Sequence, residues 1–170
     1  MLPESFTRLF PGDRVTLDFA IWLRDNGFFT APASTKYHGA REGGLFDHSM
    51  TVMNVLVGLT QRNDLKWESE DSPYIVGMFH DLCKIDQYID RGYEVVWNPN
   101  QMYKGHGDKS VLLLAAHMKL TEEEIACIRF HMGAFTDKEE WGCYTKAVNK
   151  FPNVLWTHTA DMIASHVHNI

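Results

Sequence analysis

Three things are scarce in this sequence. Cysteine occurs only at Cys83, Cys127 and Cys143, an odd number with no CxxC pair among 170 residues. That excludes a disulfide framework and argues against a thiolate zinc site. Long apolar runs are missing as well: the longest, Val111 to Ala116, falls far short of the roughly 20 residues of a membrane helix. The opening residues carry neither a basic region nor an apolar signal core. A soluble, cytoplasmic protein with no membrane partner is therefore expected. Positive charge is the third shortage, with 16 Lys and Arg against 22 Asp and Glu for a formal charge of −6. Such a balance disfavours a protein that coats nucleic acid by broad phosphate neutralisation. Any phosphate chemistry would need a local positive source, such as a metal.

What remains is an ordinary globular composition, 45% hydrophobic and 22% charged, without repeats or low-complexity tracts. One domain over residues 1–170 is expected. Helical periodicity and cap chemistry dominate, so the fold class is all-α, with about six helices. The first runs from Val15 to Asn26, its buried stripe marked by Val15, Phe19, Trp22 and Leu23 and its end by Gly27 at C′. Gly27 to Gly44 holds four glycines and a proline and reads as a long, potentially functional loop. Further helices are expected over Leu45 to Gln61, Tyr74 to Ile85 (with Ser72 as N-cap and Pro73 at N1), His106 to Met118, Thr121 to Met132 and Asn153 to Val167. Thr121 and Glu124 form a capping box. A small β-hairpin around Asp90-Arg91-Gly92 suits 87–97.

Nine histidines are the compositional anomaly. His48, His80, His106 and His131 fall on separate helices, joined by Asp81 and by Asp161 in the last one. A buried ionisable pair such as His80-Asp81, inside the apolar stretch Ile75 to Ile85, requires a compensating partner, and a divalent cation supplies one. Imidazole and carboxylate without thiolate suit Mn, Fe, Co, Ni or Zn. The His-Asp dipeptide alone means little, because chance gives about 0.6 of them in a chain of this composition. The ordered set carries the argument.

That set resembles a known family. Gly43-Gly44-Leu45-Phe46-Asp47-His48-Ser49, Phe79-His80-Asp81-Leu82-Cys83-Lys84, Gly105-His106-Gly107, Ile128-Arg129-Phe130-His131-Met132-Gly133 and His158-Thr159-Ala160-Asp161 are similar, in order, to the signature blocks of the HD-domain metal-dependent phosphohydrolases. Among these the arrangement is closest to small stand-alone hydrolases of bacteria and phages and to the HD domain of YhaM-type 3′-5′ exoribonucleases. The resemblance implies a helical bundle around one or two divalent ions and hydrolysis of a phosphate ester or anhydride by metal-activated water. It assigns His48, His80, Asp81 and Asp161 to the first ion, and His106 and His131 to a second ion that Asp81 bridges. It places Lys84 beside the substrate phosphate, making Lys84 and Asp81 the expected catalytic pair. Cys83 stands where glycine is common, Met132 where exoribonucleases often carry a second histidine, and a GYP motif is absent.

Lys36, His38 and Arg41, in the loop entering the His48 helix, are expected to meet substrate phosphates, and Phe28, Phe29, Trp97 and Tyr103 to offer a stacking wall. The expected substrate is a nucleotide or another small phosphorylated molecule. The alternatives are a 3′-5′ exonuclease on RNA or single-stranded DNA, for which no nucleic-acid-binding domain is expected before residue 27, and a catalytically silent nucleotide-binding HD regulator.

Overall fold

The computed structural model of the chain describes residues 1–36 and 39–170. Among them are eight α-helices: α1 (Pro3–Thr7), α2 (Leu17–Asp25), α3 (Gly44–Asn63), α4 (Ser72–Phe79), α5 (Gly107–Ala115), α6 (Glu122–Arg129), α7 (Trp141–Lys150) and α8 (Asn153–His166). The all-α expectation holds, and none of the helices described is long and apolar enough to cross a membrane. The hairpin is also present, with β1 (Tyr88–Asp90) and β2 (Val95–Trp97) antiparallel in the register Tyr88↔Trp97, Ile89↔Val96, Asp90↔Val95.

Caps behave as their chemistry requires. Thr16 accepts from the Phe19 backbone to open α2. At its end Gly27 takes φ 84° and lets Phe28 N–H reach the Leu23 carbonyl at 2.9 Å, closing a Schellman motif. The Thr121–Glu124 capping box is complete. Burying Glu124 demands a counter-charge, and Arg14 supplies it with two 2.7 Å bonds to the carboxylate. Ser72 also donates to Glu124 at 2.8 Å, so the N-cap position of α4 falls to Asp71, one residue earlier than expected.

Two helices escaped the periodicity. α1 is only five residues long, yet it inserts Phe6 into a cluster with Phe10, Phe28, Phe29, Phe46 and Phe79 at centroid distances of 5.2–6.3 Å. α7 has no buried residue and shows only Tyr144, Ala147 and Val148 to the core. Phe28 and Phe29 therefore belong to the core and not to a stacking wall.

α3 is the longest helix and packs against both α4 and α8, the arrangement that brings His48, His80 and Asp161 together. The α3–α4 crossing is close because Gly77 has no side chain: a methyl group there would lie 2.5 Å from Met53 Cα. Gly77→Ala is therefore expected to destabilise the protein by about 1–3 kcal/mol through forced separation of the two helices. Chemical denaturation measures this, and an unchanged midpoint would show that the crossing has slack.

Candidate metal centre

The ligand positions are built by helix ends. His80 follows the last residue of α4, and its Nδ1 donates to the Gly77 carbonyl at 2.9 Å. That carbonyl is the one the Asp81 amide would need to continue the helix. The ladder stops, Asp81 turns out at φ −105° and ψ 19°, and Leu82–Ile85 follow as a 3₁₀ turn. The expected helix to Ile85 thus ends at Phe79. His131 makes the same kind of bond beyond α6, its Nδ1 donating to Ile128 O at 2.7 Å; that helix ends at Arg129 and not at Met132. His48 projects from the second turn of α3 and gives its Nδ1–H to the main-chain oxygen of Ile170 at 3.0 Å.

Main-chain oxygens only accept, so in the neutral ring each of these three imidazoles carries its proton on Nδ1 and turns the Nε2 lone pair inward. His48 Nε2 and His80 Nε2 approach to 3.3 Å. Two facing lone pairs at that separation require a proton or a cation between them.

Asp81 lies at the focus. Its Oδ2 is 3.6 Å from His48 Nε2 and 3.5 Å from His80 Nε2, while its Oδ1 is 2.7 Å from His106 Nε2 and 3.5 Å from His131 Nε2. One oxygen thus faces each pair of imidazoles. Asp161 Oδ1 lies 3.2 Å from His48 Nε2. All six residues assigned from the sequence meet here. Among the described residues Asp81 Oδ1 and His131 Nε2 are buried polar atoms with no assigned hydrogen-bond partner, although His106 Nε2 stands 2.7 Å from that oxygen.

Electrostatics reinforces the arrangement. Burial alone would raise the Asp81 pKa, but Lys84, His80 and His106 hold it well below the usual carboxylate range. Burial likewise opposes ionisation of Asp161, and the neighbouring His48 and His80 outweigh it, holding its pKa below the ordinary value. His80 is pushed up against its burial by Asp81 and Asp161. His106 is pushed up to about 10: burial disfavours its charge, and Cys83 and Asp81 on either side outweigh it. Burial drives His131 down, towards the neutral ring.

A cavity of about 280 Å³ opens on this cluster, lined on its polar side by Asp81, Lys84, His106 and Asp161 and on its apolar side by Met132, Phe135 and Met162. Lys84 reaches Asp81 Oδ2 at 2.6 Å through the 3₁₀ turn, three residues on, and not through an α-helical face. The loop before α3 contributes Ala33 and Ser34 to the wall. Lys36 and Arg41 are exposed and do not line the cavity, and Arg41 pairs with Asp47. Backbone bonds from Ala33 N to Gly39 O and from Gly43 N to Thr30 O fold the loop so that its small residues face inward. His38 lies outside the described residues. Trp97 and Tyr103 are exposed, and Trp97 stands edge-on to Tyr88, another cavity residue.

Several residues support the cluster, and among them Lys109 and Ser110 had no signal in the sequence. Lys109, fully enclosed, bonds Asp86 and, at 3.0 Å, Gln101. Ser110 accepts from the Cys83 amide at 3.0 Å. Together they pin the start of α5, where His106 stands, to the turn that carries Lys84. Cys83 Sγ lies 3.7 Å from His106 Nδ1, which places a thiol at a centre expected to have none. His158 Nδ1 bonds the His131 carbonyl at 2.9 Å and so supports that ligand from behind.

No family model, curated protein or solved structure matches the chain. The chemistry of the site stands on its geometry. Three groups, His48/His80/Asp81, His80/His131/Asp161 and Asp81/Cys83/His106, each present ligand atoms within 4.8 Å of one another. With two buried polar atoms at the focus that have no assigned hydrogen-bond partner among the described residues, this donor set fits a divalent ion.

Metal binding must displace the protons that raised pKa values keep on His80 and His106. Affinity should consequently rise with pH from 6 towards 9, and Zn²⁺ binding at pH 7 should release at least one proton. Calorimetry in buffers of different ionisation enthalpy measures this count. Binding with no proton release would contradict the charge assignment.

Proposed function

We propose that the chain is a metal-dependent phosphohydrolase acting on a nucleotide or a phosphorylated molecule of similar size. The observation that carries this reading is Asp81, whose two oxygens face separate pairs of imidazole nitrogens while Lys84 and a cavity of about 280 Å³ lie beside it. His48, His80, Asp81 and Asp161 would hold one ion, and Asp81, His106 and His131 a second, drawn from Mn, Fe, Co, Ni or Zn. The likeness to HD-domain hydrolases supports the same division.

Bound divalent ions supply charge neutralisation at phosphorus and acidify water. The residues of the chain do the rest. Lys84, ionised and nearly enclosed, stands at the cavity wall, where its ammonium neutralises charge developing on a phosphoryl oxygen or delivers a proton to the leaving oxygen as the P–O bond breaks. Asp81 holds Lys84 in place at 2.6 Å. Met132, Phe135 and Met162 offer the leaving group an apolar wall and keep bulk water from it.

A second reading, an exonuclease on single-stranded RNA or DNA, is favoured by one observation. The hairpin and the segment after it expose Tyr93 (81%), Trp97 (57%) and Tyr103 (44%), with Trp97 against the cavity residue Tyr88, and aromatic side chains of this kind stack on unpaired bases. Steep weakening of substrate binding with salt would select it.

With Mn²⁺, Co²⁺ or Ni²⁺ added, the protein is expected to hydrolyse at least one member of a panel of nucleoside mono- and triphosphates, cyclic nucleotides, a generic phosphodiester and short single strands. Chelation should abolish the activity. Turnover that survives verified metal removal would sink this mechanism, and a metal-loaded protein inert towards the whole panel would leave a binding regulator in its place. Lys84→Ala is expected to lower turnover about 100- to 1000-fold, the range for loss of one transition-state donor, while metal content stays at the wild-type level. A rate within a factor of two of wild type would remove Lys84 from the chemistry.

A further inference from the structure

We propose that the segment following α8, residues 167–170, is a positioning element of the metal centre that acts through the main-chain oxygen of Ile170 on His48. The inference rests on the metal-centre reading above. His80 and His131 find their Nδ1 acceptors three residues back in their own chain segments, so those bonds form with the local helix end. His48 takes its acceptor oxygen from a residue 122 positions away. Its orientation therefore depends on how that distant segment folds.

The fold of the segment is specific. After His166 the amides of Val167 and His168 both return to the Ile163 carbonyl, at 3.0 and 3.1 Å. Asn169 then adopts the left-handed conformation at φ 56°, one that asparagine tolerates and β-branched residues resist. This reversal turns the chain back along α8, where Ile170 N–H bonds the Ala164 carbonyl at 3.2 Å and Ile170 O is delivered to His48 Nδ1 at 3.0 Å.

α8 thus grips the His48 ring at both nitrogens. Asp161 Oδ1 stands 3.2 Å from Nε2, and is itself bonded by Ser165 Oγ at 3.2 Å, while the segment beyond the helix holds Nδ1. The Nδ1 bond fixes the tautomer whose Nε2 lone pair faces Asp81 and His80, and partners of this kind typically contribute about 10- to 100-fold to metal affinity.

The test compares wild type with four variants and one reference. Co²⁺ affinity is read by competition with a chromophoric chelator and by the visible absorption of the bound ion. Far-UV circular dichroism and denaturation report the fold. Deletion of residues 169 and 170 and Asn169→Val are expected to weaken the tightest Co²⁺ site about 10- to 100-fold and to alter its spectrum. Asn169→Gly, which retains the left-handed turn, and Ile170→Ala, which retains the main-chain oxygen, should bind within about twofold of wild type. Asn169→Val covers the case in which the deletion unfolds. Wild-type affinity and spectrum in both the deletion and Asn169→Val would overturn the proposal, as would an Ile170→Ala loss as large as the deletion's, since side-chain packing would then be the cause. His80→Ala separates the two levels: if it binds Co²⁺ as wild type does, the metal-centre reading fails, whereas a defect in His80→Ala alone rejects only the role of the segment.

Discussion

A carboxylate removed from water needs positive partners, and the centre of this molecule is organised around meeting that need at Asp81. Lys84 touches one oxygen, and four imidazoles surround the pair. The long α3, the early end of α4, the His-terminated α6 and the pinned start of α5 each deliver one of these groups. A desolvated anion of this kind destabilises the fold by several kcal/mol if left uncompensated. The same concentration of charge and lone pairs becomes useful when a divalent ion takes the place of the protons.

Positioning is achieved mainly by main-chain oxygens. Gly77, Ile128 and Ile170 each accept from an Nδ1–H, and the fourth imidazole, His106, has Cys83 Sγ in the corresponding position. Peptide carbonyls do not ionise in the physiological range, so the acceptors of His80 and His131 keep their role at any such pH. The His80 bond also terminates a helix. Local secondary structure and ring orientation are the same event there.

Much of this was legible in the sequence. Gly27, the Thr121–Glu124 box and the apolar stripes marked the helices, and the ordered set of histidines and aspartates on separate helices marked the residues that meet at the candidate centre. The early ends of two helices were hidden, and at α4 the reason is plain, since periodicity carries no sign of a ring nitrogen competing for a carbonyl. α1 was too short and α7 too polar to register. Lys36 and Arg41 had the right charge in a suggestive loop, but which loop residues face inward is decided by long-range backbone bonds. The Cys83–His106 contact and the Ile170–His48 bond join segments whose proximity only the tertiary fold creates.

The central claim is that Asp81 is shared between two ions, and metal stoichiometry tests it most directly. After loading with excess Mn²⁺ and removal of loosely held metal, the wild type should retain two ions per chain, His106→Ala and His131→Ala one each, and Asp81→Ala neither, because its loss removes a ligand from both ions and leaves their mutual repulsion unrelieved. Each variant must remain helical for its count to be read. One ion in the wild type, with His106→Ala and His131→Ala retaining that ion and full activity, would contradict the shared carboxylate and reduce the centre to His48, His80, Asp81 and Asp161.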